Sequence, residues 1–179
     1  MKLALPLAEQ DAQERTVNAA HRISRIGVIS DTHGLLRPEA ISALRRCDHI
    51  VHGGDIGDPD ILKKLSALAP TIAVRGNNDR GPWAEGIAET ECRQIGEILI
   101  YIVHDIADLE VDPKAAGVHV VVSGHSHAPS ITTRDGVLYV NPGSAGPRRF
   151  KLPVSIAEIV LRGNAVSGRI IELSVENAA

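Results

Sequence analysis

From Arg25 onward, short apolar runs recur along the chain, and each ends at once in small or polar residues with metal-binding chemistry. The runs are RIGVIS before Asp31, HIVHGG before Asp55, TIAVRG before Asn77, ILIYIV before His104 and VHVVVSG before His125. Near-continuous β-branched runs are the signature of strands buried on both faces. Between the first three, PEAISALRR and DPDILKKLSALAP carry helical periodicity, which predicts two βαβ units and therefore parallel strands. Ligands of open α/β sheets bind beyond the carboxyl ends of the strands, where all five polar clusters fall if the strands are suitably arranged.

After His127 the pattern changes. ITTRDGVLYV places Asp135-Gly136 between two alternating runs, and VSIAEIVLRGNAVSGRIIEL does the same about Gly163-Asn164. Two-residue turns of this kind predict hairpins, so the last third of the chain is expected to be mostly antiparallel β. RGPWAEGIAETE, residues 80–91, reads as the long loop that borders the site. With no internal repeat or interdomain linker, the expectation is one domain over residues 25–179, preceded by an extension, residues 1–24, that carries no identifiable chemistry.

Composition narrows the function. A chain of 179 residues can bury a sizeable core without disulfides or a structural metal. A formal charge of −3 and only Trp83, Tyr101, Tyr139 and Phe150 as aromatic residues give neither the basic footprint nor the stacking platforms of a dedicated nucleic-acid binder. Cys47 and Cys92 lack metal-site or disulfide spacing and read as reduced small hydrophobes, which fits a cytoplasmic location. The opening apolar patch LALPLA is too short for an ordinary signal-peptide core, and no later run approaches the ~20 apolar residues of a membrane span. No export and no membrane partner are expected.

His125 and His127, one residue apart behind three valines and Gly124, can share a strand face and so act as paired ligands, or simply close a strand in a polar turn. Collected in order, the strand-end residues are Asp31, His33, Asp55, Asn77, His104, His125 and His127. One ion takes about four to six ligands, so seven mixed oxygen and nitrogen donors suit two adjacent ions sharing a carboxylate, for which Asp55 is the natural bridge. Taken singly, each has a structural reading: an Asp after a strand caps a helix, an Asn serves a turn, a His is satisfied in the core. Their joint arrangement is harder to explain that way.

These motifs resemble those of the calcineurin-like metallophosphoesterase superfamily: DxH, GDxxD, GNH followed by an acid, a lone His, and GHxH. Here they read Asp31-Thr32-His33, Gly54-Asp55-Ile56-Gly57-Asp58, Gly76-Asn77-Asn78-Asp79, His104, and Gly124-His125-Ser126-His127. With Asn141-Pro142-Gly143-Ser144 and the short length, the chain is similar to the small bacterial and archaeal phosphodiesterase branch, from about Ile26 to Phe150. The resemblance implies an α/β fold of two sheets packed as a β-sandwich and flanked by helices, with a parallel βαβ N-terminal half and an antiparallel C-terminal part. It implies a di-metal phosphoesterase that hydrolyses small phosphodiesters with a metal-activated water. Asp31, His33, Asp55 and His127 would hold one ion; Asp55, Asn77, His104 and His125 would hold the other. Manganese is the first expectation for these donors, with iron, zinc or nickel also compatible.

The resemblance also marks a departure. Asn78 stands where the family motif has a His placed to donate toward the phosphate or leaving group, and an amide cannot transfer a proton near neutral pH. Asn78 and Asp79 are therefore candidate catalytic positions, Asp79 as an acceptor behind the first layer of donors. Asp58 is expected to orient its turn. His21, His49, His52 and His119 match no motif position, and Arg148, Arg149 and Lys151 read as an exposed charge run rather than phosphate contacts. A homo-oligomer is compatible with the sequence. The rival reading is a protein-binding scaffold on the same fold with little or no catalysis, because a retromer subunit resembles this family too.

Overall fold

A computed structural model of the protein describes residues 23–175. The expected extension thus lies outside the described residues except for Ile23 and Ser24, which belong to the first strand; His21 also lies outside them. The strands are β1 (Ile23–Ile29), β2 (His49–His52), β3 (Thr71–Ala73), β4 (Thr90–Ile95), β5 (Ile98–Val103), β6 (Val120–Val122), β7 (Ser130–Arg134), β8 (Val137–Asn141), β9 (Ser155–Arg162) and β10 (Ala165–Glu172). The helices are α1 (Pro38–Leu44), α2 (Pro59–Ser66) and the single turn α3 (Pro82–Glu85), with a 3-10 turn at Ile106–Asp108. No helix among the described residues is long and apolar enough to cross a membrane.

Ten strands form two five-stranded sheets, ordered β10-β9-β1-β2-β3 and β4-β5-β6-β8-β7. In the first, β1, β2 and β3 run parallel, with Ile26 opposite His49 and Val51 opposite Ile72. In the second, β5, β6 and β8 run parallel. Alternation divides the side chains between two cores. Ile26 and Val28 of β1 meet Ile100, Ile102, Val120 and Val122 of the other sheet inside the sandwich. Ile29 and Ile50 face the opposite way, onto Ala40 and Leu44 of α1 and Ile61 and Leu65 of α2. Both helices start with proline, whose missing N–H costs nothing at that position, and Asp58 caps α2 by accepting from Asp60 N at 2.8 Å. That is the turn-orienting role its motif position suggested.

Both hairpins fall where the turns indicate, β7–β8 about Asp135-Gly136 and β9–β10 about Gly163-Asn164. One expectation is corrected. The stretch 80–91 is no plain loop: it holds α3 and the first residues of β4. β4 is an edge strand whose one fully buried residue is Ile95, so it carries almost no alternation to read. The last third is mostly antiparallel as expected, with one parallel pairing where β8 joins β6.

Candidate metal centre

Five strands deliver polar residues to one edge of the sandwich, β1, β2 and β3 from one sheet and β5 and β6 from the other. Backbone hydrogen bonds zip the loops after β1 and β2 together: Asp31 N to Gly54 O and His33 N to Asp55 O, both 2.9 Å, and Gly34 N to Ile56 O, 2.8 Å. Gly124 N donates to His104 O at 2.9 Å and joins the other two. The approach is too close for a side chain at Gly76, where an added Cβ would lie 2.1 Å from Asp55 Oδ1, or at Gly124, where it would lie 2.7 Å from Asp31 Oδ2. Seven non-glycine residues among those described have positive φ, and five are candidate donors: Asp31, His33, Asp55, His125 and His127. This conformation is sparsely populated for L-residues, and such backbone clusters at functional sites.

The donors converge in two groups. Asp31, His33 and His127 offer ligand atoms within 4.8 Å of one another, as do Asp31, Asp55 and His104. His127 Nε2 lies 3.2 Å from Asp31 Oδ1 and 3.3 Å from His33 Nε2. Asp31 is common to both groups, and Asp55 of the second also reaches the first, its Oδ2 3.8 Å from His33 Nε2 and its Oδ1 3.5 Å from His104 Nε2. Asn77 Oδ1 and His125 Nδ1 meet at 3.1 Å on the more exposed side, and the His125 ring lies edge-on to His104 with centroids 5.2 Å apart. All seven strand-end residues therefore reach one locality, although His125, 45 % exposed at its side chain, sits at its rim.

The electrostatics are those of a charged cluster held out of water. Burial raises Asp31 to about 6, against the Ser30 hydrogen bond that favours its charge. Burial also works to raise Asp55, but His104 and two hydrogen bonds from Asn78 outweigh it and hold this carboxylate well below its usual range. Burial lowers His127 to about 4 and pulls His33 down as well. For His104 burial is outweighed by the Asp55 carboxylate and the Gly53 carbonyl, and its pKa is raised. Among the described residues three buried side-chain polar atoms have no hydrogen-bond partner: Asp31 Oδ1, His104 Nε2 and His127 Nδ1. An unpartnered buried polar atom is costly, and all three belong to this cluster.

Around the donors lies a layer only partly visible in sequence. Asn78 turns back on Asp55, donating from its backbone N to Oδ1 at 2.8 Å and from Nδ2 to Oδ2 at 2.6 Å. Asp79 is buried and accepts from three backbone amides, Ile56 N (3.1 Å), Gly57 N (2.8 Å) and Gly76 N (2.8 Å), fastening the loop after β2 to the loop after β3. His52, fully buried, accepts from Gly54 N at Nδ1, so its Nε2 donates to Thr32 Oγ1 at 3.0 Å. Burial lowers His52 to about 3 and keeps it neutral. It is not one of the converging donors, and nothing in the sequence signals that it pins the loops after β1 and β2. Asn141 Nδ2 donates to Gly124 O and Ser144 Oγ to Asp31 O, at 2.7 and 2.9 Å. Asp105, whose Oδ2 lies 3.4 Å from His125 Nε2, was missed; its position directly after His104 was the signal available. His119 accepts from Leu99 N far from the cluster, and Arg148, Arg149 and Lys151 are exposed.

The sequence pattern of the calcineurin-like phosphoesterase superfamily domain matches residues 25–163. The chain belongs to that superfamily. A probable metallophosphoesterase of Methanothermobacter thermautotrophicus is 36% identical over 157 residues, 82% of this chain and 91% of its own. The solved structure of an archaeal phosphodiesterase superposes with a TM-score of 0.68 at 25% identity, covering 82% of this chain and 99% of that one. Vps29 of Chaetomium thermophilum has the same fold, with a TM-score of 0.68 at 17% identity over 84% of this chain and 97% of its own. Metallophosphoesterase membership implies divalent ions. The residues present fit them: two carboxylates, an amide and four imidazoles without a thiolate, and three orphaned buried atoms in their midst.

Proposed function

We propose that the protein is a di-metal phosphodiesterase in which Asp31, His33, Asp55 and His127 hold one ion and Asp55, Asn77, His104 and His125 the other. The observation that carries this reading is the position of Asp55, which presents one oxygen toward His33 and the other toward His104, where it could serve both ions. Bound divalent ions supply Lewis acidity, which neutralises charge on phosphoryl oxygens and lowers the pKa of water from 15.7 toward ~7. The chain's own residues do the rest. Asn78 clamps both Asp55 oxygens and fixes the carboxylate plane. Asp79 and His52 hold the loops that carry Asp31, Asp55 and Asn77. The sandwich excludes water from Asp31 and His104 while His125 stays open to an incoming substrate. Manganese is the metal we expect, and iron, zinc and nickel are equally compatible with this mixed set of imidazoles and carboxylates.

The test is hydrolysis of an activated aryl phosphodiester by metal-stripped protein, with and without Mn²⁺, Fe²⁺, Zn²⁺ or Ni²⁺. Turnover that returns with metal and disappears on chelation supports the proposal. Folded protein that binds two ions and turns over nothing would overturn it and leave a protein-binding scaffold.

A further inference from the structure

Beside the second group of donors the fold leaves a chamber of about 560 Å³, open to solvent and walled by the ends of β3 and β5 and the 3-10 turn. It adjoins the centre through His104, whose side chain is 7 % exposed and whose Nε2 has no hydrogen-bond partner, so a group lodged there is continuous with the donors. The volume lies in the range of pockets that enclose small-molecule ligands. Tyr101 and Val103 of β5 give it an apolar surface. Arg75 lines it too, its charge offset by the ion pair it makes with Glu89 at 2.5 Å. Asp105, Asp108 and Glu110 also line it. Asp105 is engaged with Ala107 N at 3.0 Å and with His125, whereas Asp108 and Glu110 have no salt bridge to a lysine or arginine among the described residues.

A phosphodiester has two ester arms, and a phosphoryl group at the donors would send one of them into this space. An anionic arm would meet two uncompensated carboxylates. A cationic or hydroxyl-bearing arm would find charge complementarity and hydrogen-bond acceptors beside an apolar surface. We propose that this chamber is the site for one ester arm of the substrate and that Asp108 and Glu110 make it select a neutral or cationic alcohol over an anionic one. The inference rests on the phosphodiesterase reading above and adds the substrate class to it.

The experiment uses the metal-loaded full chain and three p-nitrophenyl phosphodiesters whose second alcohol is choline, ethanol or glycolate. The choline-to-glycolate ratio of kcat/KM is expected to be about tenfold or more, and to fall to about twofold or less in the Asp108→Asn/Glu110→Gln double variant. Both side chains are exposed, so the variant keeps the fold. A native ratio near one, or a ratio that survives in the double variant, overturns the proposal. If none of the three esters is hydrolysed despite bound metal, it is the phosphodiesterase reading that fails. Binding of phosphocholine and phosphoglycolate to the same protein, followed by the amide shifts of Val103, Asp108 and Glu110, then tests the chamber alone. Tighter phosphocholine binding that is lost in the double variant supports it, and equal or weaker binding overturns it.

Discussion

Asp55 offers one oxygen to each side of the centre, whereas Asn77 offers a single neutral donor to one side. Asp55→Asn is therefore expected to leave fewer than about one ion per chain, and Asn77→Ala to lose mainly one of two, as measured by metal analysis of folded variants. Near-normal occupancy in Asp55→Asn would refute the shared ligand. Asn78→Ala removes the amide that fixes Asp55, and should weaken metal retention by about 10–100-fold with secondary structure intact, read by competition with a chelating dye. The sequence showed that residue 78 departs from its motif, but which way the amide turns depends on where Asp55 stands, and no local pattern encodes that. Histidine 52 yields a pH prediction. Its folded pKa, about 3, lies below the ordinary 6.5, so the unfolded chain takes up a proton that the folded one refuses. Its contribution is complete above pH 6.5 and is lost progressively between there and pH 3, about 2 kcal/mol by pH 5. Urea titrations of His52→Gln should show lower stability at pH 7 but a shallower decline toward pH 5 than the native protein; parallel declines would contradict this.

At the scale of elements, the centre depends on how the loop after β2 meets the loop after β3, and Asp79 is the fastening. In Asp79→Asn one of the two accepting carboxylate oxygens becomes an amide NH2, itself a donor facing backbone donors, which should cost about 2–3 kcal/mol. Hydrogen exchange should quicken selectively at the amides of Ile56, Gly57 and Gly76; unchanged protection there would show that other contacts hold the loops. Strands β1, β2, β5 and β6 were legible because burial on both faces demands unbroken β-branched runs. β4 was not: Glu91, Arg93 and Gln94 lie along a sheet edge where neither face imposes an apolar rhythm. α3 escaped notice because four residues are too few for helical periodicity to show.

For the whole molecule, the interior formed by Ile26, Val28, Ile100, Ile102, Val120 and Val122 is built without any of the donors. Chelation should therefore leave the far-ultraviolet circular dichroism unchanged at 25 °C, while restored metal stabilises the fold by mass action, by ~2.7 kcal/mol per site at a hundredfold excess over Kd, and so raises Tm. Collapse of secondary structure on mild chelation would mean that the ions hold the sheets together. The strand runs pointed to a shared edge, but periodicity alone could not reveal that β5 and β6 pair in a second sheet, because pairing between distant strands leaves no local trace. That division was implied only by the family resemblance that the five motifs carry.

The left-handed backbone at Asp31, His33, Asp55, His125 and His127 has a consequence for inheritance and for engineering. These positions are held in conformations that a glycine or asparagine occupies at less cost than alanine or valine. A lineage that abandoned catalysis would find its gentlest exits there, with glycine or asparagine accumulating while the sandwich endured. For the same reason, the dead variants easiest to produce as folded protein are those that replace a donor with one of these two residues.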